Sequence, residues 1–323
     1  MKTYLVTGVA GFIANETAKM LLDAGHRVVG IDNMNDYYDV RVKEHRLGDL
    51  EGRENFKFYP ADLENLGALE ILFADNKFDG VLNLAARAGV RYSMENPHIY
   101  MSTNAQGTLN LLEAMRKFGV KKMVLASTSS LYAGQQMPFT EDLPVNTPIS
   151  PYAASKKAAE VMAYSYHNLY KMDITVVRYF TVFGPAGRPD MSIFRFIKWV
   201  DDGTPIELFG DGSQSRDFTY VTDIAAGTVA ALKEVGYEII NLGGGRNPKT
   251  INYLIELIEK GLGKKATIDY KPFHIADMTE TWADISKAER LLGWTPKVGL
   301  EEGIEKTLEW YKANRSWLAD VKL

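Results

Sequence analysis

The chain has 323 residues, 46% of them apolar, a formal net charge of −4 and no cysteine. A mildly acidic chain without a long basic run argues against a nucleic-acid partner. The absence of thiols excludes disulfides, cysteine nucleophiles and thiolate metal sites, which fits a cytoplasmic setting. No stretch approaches the ~18 consecutive apolar residues of a membrane span and MKTYLVTG lacks a signal-peptide pattern, so no membrane partner is expected. The five histidines have no ligand spacing and HExxH is absent, which predicts no metal centre.

Tyr4–Thr7 is a β-prone run that ends at Gly8. Gly8-Val9-Ala10-Gly11 makes a turn, Phe12 and Ile13 open an apolar helix reaching about Ala24, and Arg27–Ile31 is a second strand ending at Asp32. Strand, glycine turn, helix, strand and acid is the order of a dinucleotide-binding βαβ unit. Gly8 permits the tight turn, and Gly11 lets the backbone approach a diphosphate at the helix N-terminus. Asp32, 24 residues after Gly8, is placed to accept hydrogen bonds from ribose hydroxyls and to repel a 2′-phosphate, which favours NAD over NADP. A polar insertion begins at Asn33 and runs to residue 55; Tyr37, Tyr38, Val40 and Val42 in it are placed to cover a groove edge.

Tyr59–Leu63 ends a third strand. Asp62, followed by Leu63, either faces an adenine, N-caps a helix over 64–76, or does both. Val81–Leu84 is a fourth strand, and Ala85-Ala86 after it leave room for a cofactor backbone. Residues 99–118 predict one long helix, in which Asn104 either holds neighbouring strand ends or lies exposed. Lys122–Ala126 is a fifth strand and runs into Ser127, Thr128, Ser129 and Ser130. Hydroxyls there stand where open α/β sheets bind ligands, or else form an ordinary serine-rich turn. Ser150 and Pro151 fit the N-cap and first position of a helix reaching Tyr170. Tyr152 and Lys156 then share a face one turn apart. They are either a phenol acidified by an ammonium and a helix N-terminus, or a packed ring beside a solvated lysine.

Ile174–Arg178 is the sixth strand, ending at Tyr179. Strands joined by helices predict an α/β fold: a doubly wound parallel sheet of Rossmann type over residues 1–180. A smaller mixed α/β substrate-binding lobe is expected over 181–323, with return elements from about 215–242. In that half, helices are expected at 193–200, 221–232 and 251–260, and strands at 205–209 and 238–242, the latter returning to the main sheet. Arg188 and Arg216 lie in glycine-rich loops and suit a diphosphate. Asp277 lies on a polar segment between His274 and Asp284.

A dinucleotide site, a tyrosine–lysine pair and nearby hydroxyls suit removal of an alcohol proton while its carbon gives up hydride. Tyr152 is the candidate base, Thr128 the orienting group and relay, and Lys156 the ammonium that also reaches the nicotinamide ribose. Through TGVAGFIA (7–14), STSSLY (127–132), YAASK (152–156) and FGP (183–185), the chain resembles the extended short-chain dehydrogenase/reductase superfamily and its nucleotide-sugar epimerases. IDNMNDYYDVRVKEHRL (31–47), LAARAGVRYSMENP (84–97), SPYAASKKAAE (150–160), RYFTVFGPAGRPDM (178–191) and GDGSQSRDFTYV (210–221) are similar to UDP-glucuronate 4-epimerases.

The resemblance implies tightly held NAD and a UDP-sugar that is oxidised at C4 to a 4-keto sugar, rotates, and is reduced on its other face. It implies a homodimer through helices near 99–118 and 151–170. Phe12, Ile13, Asn33, Leu63, Leu84, Asn104 and Tyr179 would be neighbours of the cofactor. Ser129, Ser130 and Thr181 would sit at the sugar and its carboxylate, and Arg188, Arg216 and Asp277 at the uridine diphosphate. Ala14 and Ala133 stand where the family usually has glycine. Related decarboxylases and dehydratases carry a glutamate at the position of Ser130. The remaining alternatives are decarboxylation of UDP-glucuronate, epimerisation of UDP-glucose, and a non-catalytic NAD-binding protein, which would be expected to have lost Tyr152 or Lys156.

Overall fold

The computed structural model describes residues 1–245, 247–273 and 278–323. The first half alternates strand and helix. In order come β1 (Thr3–Thr7), α1 (Phe12–Asp23), β2 (Arg27–Asp32), α2 (Val40–Gly48), β3 (Phe56–Pro60), α3 (Leu66–Asp75) and β4 (Gly80–Asn83). Then follow α4 (Val90–Glu95), α5 (Pro97–Tyr100), a π-helical turn (Met101–Gln106), α6 (Gly107–Phe118), β5 (Lys122–Thr128), α7 (Pro151–Tyr170) and β6 (Asp173–Tyr179). The second half contains β7 (Thr181–Phe183), α8 (Ser192–Asp202), β8 (Ile206–Phe209), β9 (Ser215–Arg216), β10 (Phe218–Tyr220), α9 (Val221–Ala230) and β11 (Tyr237–Leu242). It closes with β12 (Lys249–Thr250), α10 (Ile251–Leu262), β13 (Ile268–Lys271), α11 (Ser286–Leu292), α12 (Leu300–Ala313) and α13 (Arg315–Leu318).

Seven strands form one parallel sheet in the order β11-β6-β5-β4-β1-β2-β3. Alternate side chains enter opposite layers, as strand geometry requires. Tyr4 and Val6 pack with α1 on one face, and Leu5 packs with α3 and α6 on the other. On β5, Val124 and Ala126 face the first layer, and Met123 and Leu125 the second. Neighbouring β1 and β4 send their chains to opposite faces, which opens a crevice at their C-terminal ends. The expected return strand is β11, paired to β6 from Tyr237↔Ile174 to Leu242↔Tyr179. Beyond the sheet, α8, α10 and α12 enclose a third apolar core with Phe194, Ile197, Leu254, Ile258, Ile304 and Leu308.

Several local expectations need correction. The helix expected over 99–118 is three contiguous pieces, because a π turn interrupts it where Asn104 reaches out to other segments. Helix α3 starts at Leu66, and its N-cap is Asn65, whose Oδ1 accepts the Ala68 N–H at 3.0 Å. Asp62 instead accepts from Glu64 N and Asn33 Nδ2. The polar insertion contains α2, and Val42 lies in the third core rather than at a groove edge. Ala133 has φ −53°, so a side chain costs nothing there, and Gly134 takes the positive angle of +85°. Ala14 is buried in the first turn of α1. Among the described residues no helix is long and apolar enough to cross a membrane.

Candidate active site

A cavity of about 780 Å³ follows the C-terminal ends of β1, β2, β4, β5 and β6 and extends to α8 and β8. One end is a backbone cradle. Gly8 has φ +67°, and a Cβ there would sit 2.7 Å from Ala85 Cα. A Cβ on Gly11 would sit 2.8 Å from the Gly8 oxygen. No side chain caps α1, so its first N–H groups face the cavity's glycine turn without a side-chain acceptor. Such a turn takes an anion, and a dinucleotide diphosphate fits it. Phe12, Ile13, Leu63, Leu84, Ala85 and Ala86 also line the cavity. Asp32 closes the cradle: Oδ2 accepts Ala10 N at 3.2 Å and Oδ1 accepts Met34 N at 2.8 Å. Asn33 and Asp62 lie beside it, joined at 2.7 Å. Two carboxylates at this end suit ribose hydroxyls and oppose an added phosphate, so the residues fit NAD.

The other end carries the proton chemistry. The Ser150 hydroxyl accepts the Ala153 N–H at 3.2 Å and Pro151 takes the first position, so α7 starts as its sequence dictates. Tyr152 and Lys156 both line the cavity with Thr128, Ser129 and Ser130. The strand β5 carries Thr128, and a short 3₁₀ turn after it carries the two serines. Thr128 Oγ1 accepts Ser130 N at 3.1 Å, which fixes the hydroxyl turn.

Burial pushes the Tyr152 phenol up; its hydrogen bond with Thr128 and the charge of Arg188 act in the opposite direction. Tyr37, like burial, disfavours the tyrosinate. Burial also lowers the Lys156 ammonium to about 8, against support from Glu160. Between about pH 8 and its ordinary 10.5, the unfolded chain therefore binds more of this proton than the folded one. The contribution is present in full above 10.5 and is lost as pH falls through about 8. Lys156→Met should accordingly flatten the rise in ligand-free stability between those values. Urea unfolding of both proteins across that window measures it; parallel curves would refute it.

Arg188 lies in the loop between β7 and α8 and lines the cavity. Its Nε and Nη2 donate to Asp190 at 3.0 and 2.6 Å, Nη2 also donates to Ala88 O at 3.2 Å, and the guanidinium lies over Tyr37 and Tyr38. Arg188 lines the same cavity as Tyr152, and its charge acts on that phenol. Arg216 and Thr181 also line the cavity, and Arg216 Nη1 donates to Ser215 O at 2.7 Å. Asp277 lies outside the described residues. Asn104 does not line the cavity. Its Oδ1 accepts Arg87 N at 2.8 Å, and Nδ2 donates to Arg87 O and Ser155 Oγ, each at 2.9 Å. It therefore positions the β4–α4 loop against α7. Tyr179 borders the cavity, but its hydroxyl pairs with Thr228 Oγ1 at 2.7 Å, and burial pushes its phenol up.

Sequence reading missed three features. Lys43 lines the cavity and donates to Asn35 O at 2.7 Å; with Arg46 it forms a buried basic pair three residues apart on α2, a pattern visible in the sequence. Arg87, over the Tyr37 ring at 5.3 Å, also lines the cavity. Behind Lys156, Glu160 accepts from Ser127 Oγ at 2.6 Å and from Arg178 Nε and Nη2 at 2.9 and 2.8 Å. No local pattern announces that last network.

A family model described as GDP-mannose 4,6 dehydratase matches residues 5–307. The UDP-glucuronate 4-epimerase of Thermodesulfobacterium geofontis is 59% identical over 323 residues, covering all of both chains. The crystal structure of UDP-glucuronic acid 4-epimerase from Bacillus cereus, in complex with UDP-glucuronic acid and NAD, superposes with a TM-score of 0.91 at 38% identity, covering 97% of this chain and 99% of the other. A UDP-glucose 4-epimerase of Thermotoga maritima, solved with UDP-glucose, gives 0.88 at 31% identity, covering 97% and 99%.

Proposed function

The chain belongs to this GDP-mannose 4,6 dehydratase family, as a nucleotide-sugar epimerase of the extended short-chain dehydrogenases/reductases, and we infer that it interconverts UDP-glucuronate and UDP-galacturonate. The reaction is NAD-dependent epimerisation at C4 through a 4-keto sugar. The observation that carries it is the Thr128–Tyr152 hydroxyl pair in the same cavity as the glycine cradle. The turn of Gly8 and Gly11 with Asp32 would hold NAD, which would supply a hydride acceptor and donor for C4.

The chain's residues do the rest. Tyr152 takes the O4 proton and gives it back, and Thr128 holds the same oxygen and stabilises the tyrosinate. Lys156 supplies positive charge beneath them. Arg188, at the reacting end with Thr181, Ser129 and Ser130, is our assignment for the sugar carboxylate; Arg216 is left for the diphosphate. Holding that carboxylate near the plane of the C4 carbonyl would protect the β-keto acid, because carbon dioxide leaves only when the C5–carboxylate bond stands across that plane. Ser130, hydrogen-bonded within the Thr128 turn, offers no acid for elimination.

Incubation with UDP-glucuronate and NAD, followed by chromatography, tests this reading. UDP-galacturonate supports it, UDP-xylose would replace it by decarboxylation, and turnover of UDP-glucose alone would make the substrate neutral.

We also assign a homodimer through α7 and the π turn beside it. Val161, Tyr164 and Leu169 on α7 and Met101 on the turn are 54%, 55%, 65% and 45% exposed, apolar side chains on the surface of the single chain. Val161→Glu should shift the mass seen by sedimentation from two chains to one; a wild-type monomer would refute the assignment.

A further inference from the structure

Arg46 is a charge the reaction above does not use. It lies on α2 and is 1% exposed. Nε donates to Ala186 O at 2.8 Å; Nη1 donates to Ala10 O at 3.1 Å and to Tyr38 Oη at 2.7 Å. The guanidinium lies 5.8 Å from the Phe12 ring centroid and 5.6 Å from that of Tyr38. Nη2 has no partner. Every acceptor is neutral, and none is a carboxylate. A guanidinium keeps its proton even when buried, and buried charges ordinarily have a counter-charge.

What surrounds Arg46 is the glycine turn. Ala10 belongs to the turn, Phe12 opens α1, and Asn15 Nδ2 of the same helix donates to the Arg46 carbonyl at 2.6 Å. Lys43, three residues earlier on α2, lines the cavity. Burial holds the Lys43 ammonium below its ordinary range, and Arg87, Arg46 and Arg188 add to this, with Asp32 the opposing charge. Lys43 and Arg46 thus stand together beside a cradle shaped for an anion.

We propose that Arg46 is the counter-charge, set behind the glycine turn, for the diphosphate of the dinucleotide, and that its unbalanced burial is relieved when that group binds. The proposal rests on the NAD reading of the cradle. Arg46 also holds Ala186, which has φ +53° and lies two residues before Arg188. One buried cation therefore fastens the cofactor turn to the loop that carries the carboxylate-facing arginine. Cofactor binding should stabilise this chain through a charge that never touches the cavity surface.

The test uses cofactor-stripped full-length protein, with Arg46→Met and Arg46→Lys as variants. Affinity for NAD and for adenosine is read by calorimetry, and the unfolding midpoint is read with and without saturating NAD. Arg46→Met should weaken NAD by about tenfold or more and shrink the NAD-dependent rise in midpoint. Arg46→Lys keeps the charge and should keep most of both. Adenosine, which lacks the diphosphate, should bind all three proteins alike. Equal losses of midpoint with and without NAD at unchanged affinity would overturn the proposal, as would equal NAD losses in both variants or adenosine weakening in step. If Arg46→Met does not fold, Arg46→Lys decides: a retained NAD-dependent rise supports the charge, and its loss overturns it. Product formation by the wild type at saturating NAD is independent of all these outcomes, so the reaction assignment and this proposal fail separately.

Discussion

Replacing Tyr152 by phenylalanine should lower kcat by a factor on the order of 10²–10⁴ while the protein stays folded. The lost atom is one hydroxyl, and its partner in the ligand-free site is Thr128. The ring, packed edge-to-face on Tyr100 with centroids 6.0 Å apart, remains. Thr128 retains Ser130 as a neighbour at 3.1 Å, so no buried group is orphaned. What disappears is the group that accepts the O4 proton as hydride leaves C4 and returns it later. Substrate affinity should change little, because the diphosphate and carboxylate contacts lie elsewhere. Steady-state kinetics on UDP-glucuronate separates the two effects. Wild-type kcat in the variant would remove Tyr152 from the base role and leave Thr128 to be tested.

Glu160→Gln should cost about 3–5 kcal/mol of stability, a large share of what a domain has. The carboxylate and the Arg178 guanidinium are each 1% exposed and meet through two hydrogen bonds. The amide keeps the shape but leaves Arg178 as a buried cation. Its remaining partner, Tyr132, is a phenol that itself donates to Asn241 at 2.8 Å. Lys157, 3.8 Å from Glu160, adds a further positive charge. The network spans β5 through Ser127, β6 through Arg178 and β11 through Asn241. Loss should therefore loosen the strand ends that carry Thr128. Lys156, which Glu160 supports, should then lose its proton at still lower pH. Urea unfolding of Glu160→Gln, Arg178→Met and the double variant measures the coupling; the double variant should lose less than the sum of the single ones. A loss under about 1 kcal/mol for Glu160→Gln would mean that the pair contributes little.

Much of the reactive centre was readable because its signals are local. Gly8, Gly11 and Asp32 follow a fixed spacing within one βαβ unit, and Ser150, Pro151, Tyr152 and Lys156 obey helix capping and a one-turn repeat. The π turn was not readable, since it exists because Asn104 bonds Arg87 and Ser155, residues 17 and 51 positions away. Of the roles open to Asp62, the N-cap of α3 fell to Asn65, because both are good caps and Asp62 is bonded by Asn33.

The fold class, the glycine turn after β1 and the capped start of α7 are legible in the chain, because each is written in contacts between residues a few positions apart. Where charge lies around them depends on long-range packing. Arg46 meets Ala186 across 140 positions and Arg188 meets Ala88 across 100, and neither pairing leaves a periodic trace. Arg188 in a glycine-rich loop reads as a diphosphate ligand, and its place over Tyr37 and Tyr38 has no counterpart in the local pattern. The physical reason is range. Backbone geometry fixes neighbours within a turn or a strand pair, whereas a buried charge takes its meaning from whatever the whole chain packs against it.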